Sequence, residues 1–87
     1  MYRQQIIDRV NDIIGEKAGF APDYIEPEDS FDYLGVDSMK CIEALVEIED
    51  EFVINIPETE LLGVRTMQDA YDIVEKKIID THGFKVY

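Results

Sequence analysis

Between Tyr2 and Ala18 the apolar residues Ile6, Ile7, Val10, Ile13 and Ile14 recur at steps of three and four, the spacing that gathers side chains on one face of a helix. An amphipathic first helix is predicted here, with Gly19 as a left-handed stop. The same period returns twice. A second helix is predicted from Asp37 or Ser38, either of which can cap exposed amides, to Phe52 or Val53, with Cys41, Leu45, Ile48 and Phe52 in one sector. A last helix runs from about Met67 to Asp80, with Thr66 and Asp69 as an approximate capping box and Met67, Ala70, Tyr71, Val74 and Ile78 at helical spacing. Lys76 and Lys77 suit the negative pole of its dipole, and Gly83 can end it. After Pro57, residues Glu58 to Leu62 fit a short turn of helix before Gly63. The expected fold is all-α: a small four-helix bundle of three longer helices and one short one, with a long loop between the first and second. At 87 residues there is room for one core, so residues 1–87 form a single domain, with a helical core of about 2–80 and a tail at 81–87.

Residues 19–36 hold Gly19, Pro22, Pro27 and Gly35 and show no sustained period. They also carry Phe20, Ile25, Phe31 and Leu34, too many large apolar groups for a free linker, so the loop is expected to be pinned to the core. Loops of this length in small domains usually serve a function or contain a turn of helix of their own.

Charge narrows the function classes. From Asp23 to Glu60 there are thirteen acids and the single base Lys40, so this stretch carries the whole net charge of −12 while the flanks cancel. Such a field repels nucleic-acid phosphates and anionic lipid and suits a basic partner surface. No apolar run approaches the length of a membrane span, and the lone Cys41 allows no intramolecular disulfide, so a folded, monomeric protein of the cytoplasm is expected. On the second helix Lys40, Glu43, Glu47, Asp50 and Glu51 fall opposite the apolar sector, and Met39 and Val46 border them, a mixed rim suited to docking. A solvated acidic face is the alternative.

No Gly-rich phosphate loop, HExxH, GxSxG or calcium loop is present, so no metal ligands are assigned. His82, the only histidine, lies near the tail, which leaves Ser38 or Cys41 without a base for nucleophilic catalysis, and Cys41 faces the apolar sector as a small hydrophobe. A chain this short spends its apolar side chains on one core, and an enzyme is not expected. Ser38 remains. It is either an ordinary cap or a hydroxyl exposed at a helix N-terminus, where free amides and the positive dipole end tolerate a phosphodiester.

Leu34-Gly35 followed by Asp37-Ser38-Met39, the acidic helix from Ile42 to Phe52, Ile56-Pro57, and Thr66-Met67-Gln68-Asp69-Ala70 together resemble the acyl carrier proteins and their carrier-domain relatives, without gaps from about Phe31 to Val74. The resemblance implies that a carrier-protein synthase, a phosphopantetheinyl transferase, esterifies Ser38 with 4′-phosphopantetheine from coenzyme A. It further implies that the arm's thiol holds acyl groups as thioesters for enzymes of fatty-acid, polyketide or related biosynthesis. Asp37 and Met39 would flank the attachment site. Glu43, Val46, Glu47, Asp50 and Glu51 would dock onto basic patches, and Leu45, Ile48, Ile56, Leu61 and Tyr71 would shelter the acyl chain or simply form core. Lys40 stands where fatty-acid carriers commonly have an acid, which keeps a specialised aminoacyl, peptidyl or D-alanyl carrier as an alternative. An acidic helical adaptor without a prosthetic group is the other.

Overall fold

Ile6, Val10, Ile13 and Ile14 are all buried on one face of α1 (Arg3–Ala18), as their spacing requires. The structure, a computed structural model, describes all 87 residues, Met1 to Tyr87. At the start of α1 the Gln5 side-chain oxygen accepts the Tyr2 amide at 2.8 Å. Gly19, at φ 78°, ends it. A glycine is required at Gly15, in the last turn of α1, because a Cβ there would stand 2.7 Å from the Phe20 carbonyl oxygen.

That close approach explains why Phe20 departs from its expected role. Its backbone, not its ring, packs on α1: the Phe20 amide donates to the Gly15 carbonyl at 3.1 Å, and the side chain is left exposed. Ile25 and Leu34 are buried and Phe31 is half-buried, so the rest of the loop is pinned as expected. The loop contains a 3₁₀ turn (Pro22–Tyr24) and a one-turn helix, α2 (Phe31–Leu34). It is sewn to the segment before the last helix by backbone bonds. Phe31 donates to the Arg65 carbonyl (3.0 Å), Met67 to Asp29 (3.0 Å) and Gln68 to Pro27 (2.8 Å). These bonds satisfy backbone groups that an irregular segment would otherwise leave unpaired.

Next come α3 (Ser38–Phe52), α4 (Glu58–Leu61) and α5 (Met67–His82). The three long helices lie where the apolar period placed them, the short α4 lies between Pro57 and Gly63 as expected, and α2 adds a second one-turn helix. On α3 the buried positions are Ala44 and Ile48, with Cys41, Leu45 and Phe52 half-buried beside them. Val53, at φ 53°, ends α3 in the left-handed region, and the Glu49 carboxylate accepts the Ile56 amide at 2.9 Å across the following turn. In α5 the capping box is reciprocal: the Thr66 hydroxyl accepts the Asp69 amide, and the Asp69 carboxylate accepts the Thr66 amide, each at 3.2 Å. This helix runs beyond the expected Asp80 to His82, whose Nε2 lies 2.9 Å from the Phe52 carbonyl oxygen at the end of α3. Within the core the buried Tyr71 hydroxyl donates to Asn11 Oδ1, the one polar contact among apolar neighbours from α1 and α5.

The last residues do not hang free. Arg3 donates its amide to the Tyr87 carbonyl at 2.8 Å, Tyr87 donates to Met1 at 3.0 Å, and the Met1 ammonium donates to the Lys85 carbonyl at 3.0 Å. Val86 packs half-buried against the core, and the Tyr2 and Tyr87 rings lie 5.9 Å apart.

Candidate functional site

Leu34 and Val36 are buried, and between them Gly35, at φ 74°, turns the chain from α2 toward α3. Asp37 and Ser38 are thus delivered to the surface from an anchored stem. Asp37 is the N-cap, its Oδ1 accepting the Lys40 amide at 2.9 Å. With that task filled by Asp37, Ser38 stands exposed as the first residue of α3. The first turn of α3 holds no acid. A phosphodiester on the Ser38 oxygen would meet unpaired amides and the positive end of the dipole, so the residues present fit a phosphate-linked prosthetic group.

Downstream, Met39, Ile42 and Val46 are exposed at 71%, 57% and 51%, forming an apolar edge along α3. Ile42 was not singled out by sequence reading, although its step of three from Met39 and four to Val46 places it on the same face. Glu43, Asp50 and Glu51 are exposed, and Glu47 is half-buried. Bases from α1 reach across to these acids. Lys17 Nζ lies 2.8 Å from Glu47 and 3.8 Å from Glu43, and Arg9 pairs with Glu51 and, at 3.1 Å, with Asp12. The Glu47 hydrogen bond raises the Lys17 ammonium above its ordinary pKa. Of the four acids on this face, Asp50 alone makes no ion pair. The roles of Lys17 and Arg9 were also missed, and the available signal was their eight-residue separation, about two turns along one flank of α1.

The other nucleophile types are placed differently. Cys41 is half-buried, its thiol donating to the Val36 carbonyl at 3.7 Å, and burial raises its pKa, with the carboxylates of Asp37 and Asp32 adding to the effect. His82 sits against Phe52, at the opposite end of α3 from Ser38. Leu45, Ile48, Ile56, Leu61 and Tyr71 all pack in or against the core.

The family model for the phosphopantetheine attachment site matches residues 8–74, a span that holds Ser38 together with α2, α3 and α4. The chain is 41% identical over 78 residues to the acyl carrier protein of Chlorobium phaeobacteroides, covering 88% of this chain and 100% of that one. It belongs to the acyl carrier protein family. A second relative, the meromycolate extension acyl carrier protein of Mycobacterium leprae, is 37% identical over 75 residues, covering 85% of this carrier and 65% of that protein. The crystal structure of the acyl carrier protein of Thermotoga maritima superposes with a TM-score of 0.78 at 33% identity, covering 90% and 92% of the two chains. As a carrier of this family the chain takes 4′-phosphopantetheine as its covalent prosthetic group. None of its helices is long and apolar enough to cross a membrane.

Proposed function

We propose that Ser38 is the hydroxyl esterified with 4′-phosphopantetheine by a phosphopantetheinyl transferase using coenzyme A. The chain then serves in the cytoplasm as a non-catalytic carrier of acyl thioesters for fatty-acid, polyketide or related biosynthesis. The observation that carries this reading is the division of labour at the start of α3: Asp37 caps the helix, and Ser38 is left exposed at its positive end. The long arm supplies a thiol that travels between active sites, while the protein supplies position and recognition. Asp37 and Met39 flank the attachment point. Glu43, Val46, Glu47, Asp50 and Glu51 present an acidic, partly apolar face to basic patches on partner enzymes, which favours fast encounter over long residence.

The test is intact-protein mass after incubation with coenzyme A and a promiscuous transferase. Wild type gains one phosphopantetheinyl group; Ser38→Ala gains none and keeps its helical circular dichroism. Loading that persists on Ser38→Ala overturns the site. No loading of wild type by a transferase active on another carrier leaves an acidic adaptor as the better account.

Lys40 supports a narrower second reading. It is exposed in the first turn of α3, at the unfavourable end of the dipole for a cation, with no ion pair to offset that placement. A base at this position suits a specialised carrier, such as one for aminoacyl or D-alanyl groups, better than a general fatty-acid carrier. Loading of the phosphopantetheinylated protein by amino-acid-activating enzymes, with none by fatty-acyl-loading enzymes, is the outcome that reading expects.

A further inference from the structure

Two of the acids proposed for docking, Glu47 and Glu43, are already engaged in the free carrier, and the group that engages them is not loosely held. The Lys17 side chain is only 17% exposed, so its stem is anchored on the protein and its ammonium is delivered to Glu47 at 2.8 Å and to the vicinity of Glu43 at 3.8 Å. An anchored base beside its partner acts at a high effective concentration. An incoming base must displace it. We propose that Lys17 is a built-in competitor for the basic groups of docking partners, occupying Glu47 and Glu43 in the free carrier and giving them up when a partner's arginine or lysine takes its place. The inference rests on the carrier reading for the identity of its partners, but not for the geometry of the exchange.

Two consequences follow from the exchange. Docking through Glu47 and Glu43 gains less than their charges suggest, because one ion pair is broken for each one made. On release, Lys17 is at hand to recapture the carboxylates, which shortens residence on any one enzyme. Asp50, which has no such competitor, is the acid of this face left with its full charge for first encounter. Arg9 is a looser version of the same device, since its side chain is 51% exposed and is shared between Glu51 and Asp12.

The test compares wild type with Lys17→Met, which keeps the stem and removes the ammonium, as apo substrates of the transferase. The expected result is a KM lower by about two- to fivefold at low salt. That gain shrinks at high salt and is abolished by adding Glu47→Gln. A KM that is unchanged or raised in Lys17→Met, with native helical circular dichroism, overturns the proposal. A second measurement needs no variant and no transferase. On titrating wild type with a hexa-arginine peptide, the side-chain NMR signals of Lys17 and Glu47 shift together as the peptide binds. Binding that moves the Asp50 signals and leaves those of Lys17 in place overturns it. Failure of the transferase to load wild type counts against Ser38 as the attachment point and leaves this second measurement to decide Lys17.

Discussion

Ser38 and Cys41 lie three residues apart on one helix and have opposite fates. The serine sits on the exposed first turn. The thiol is drawn toward the core, donates to Val36, and is pushed by burial toward its protonated form. Iodoacetamide at pH near neutral should therefore label Cys41 of the apo protein slowly, with the rate rising sharply in urea, whereas the phosphopantetheinylated protein takes a fast label on the arm. Mass spectrometry of the alkylated chain checks this, and labelling of folded Cys41 at the rate of a free thiol would contradict it. Tyr71 and Asn11 make a second residue-scale prediction. Tyr71→Phe leaves buried Asn11 Oδ1 without its donor and should destabilise the fold by about 1–2 kcal/mol in urea unfolding, while Asn11→Leu on top of it recovers part of the loss. Ser38 and Asp37 were legible as a pair, but which one caps was not, because either side chain can accept an amide from the first turn. The Asn11–Tyr71 contact could not be read at all, since nothing local links two residues sixty positions apart.

Capping decides how α5 responds to acid. The Asp69 carboxylate accepts the Arg65 amide at 3.0 Å and the Thr66 amide at 3.2 Å. Chiefly the first of these holds its pKa below the usual aspartate range, against a smaller opposing effect of burial. A depressed folded pKa means that the unfolded chain takes up the proton first. The contribution of Asp69 is thus full above about pH 4, the ordinary aspartate range, and is lost as pH falls through its lower folded value. Asp69→Asn should flatten the acid side of a melting-temperature profile below that range and leave its shape near neutrality unchanged. Thr66→Ala, which removes the other half of the box, should cost about 1 kcal/mol near neutrality, and part of that cost should fade in acid because the Thr66 side chain also helps to hold the Asp69 pKa down. Helix existence was legible wherever an apolar period ran for three turns or more. A single turn carries no period: four-residue α4 was legible only through Pro57 before it and Gly63 after it, whereas α2 could not be placed within its loop, because its Ser30 cap accepting from Tyr33 resembles any turn. Val53 was not legible as the left-handed end of α3 either, since a β-branched residue is a poor choice for that conformation and tertiary context selects it.

Over the whole molecule, the acidic centre and neutral flanks of the sequence do not remain separate. Arg9, Lys17 and Lys77 come from the flanks and fold onto Glu51, Glu43, Glu47 and Glu60 of the centre, the last pair at 2.7 Å. Composition showed the asymmetry, but this partial compensation depends on which helices become neighbours. A net charge of −12 still leaves strong self-repulsion, and surface pairs of this kind are individually weak. The melting temperature should therefore rise between about 10 mM and 500 mM sodium chloride, where the screening length drops from ~30 Å to under 10 Å. A flat or falling melting temperature would mean that the ion pairs outweigh the repulsion. The stapled chain ends have a separate consequence. Met1 and Tyr87 leave the fold side by side. Arg9 beside Glu51 and Lys17 beside Glu47 set α1 antiparallel to α3, so both ends emerge beyond the Phe52 end of a 15-residue helix whose other end is Ser38, about 22 Å away. A tether fixed to either terminus would leave from a single point at one pole, and a carrier coupled that way to a bead or a sensor chip would hold its serine at the opposite pole, facing the solution.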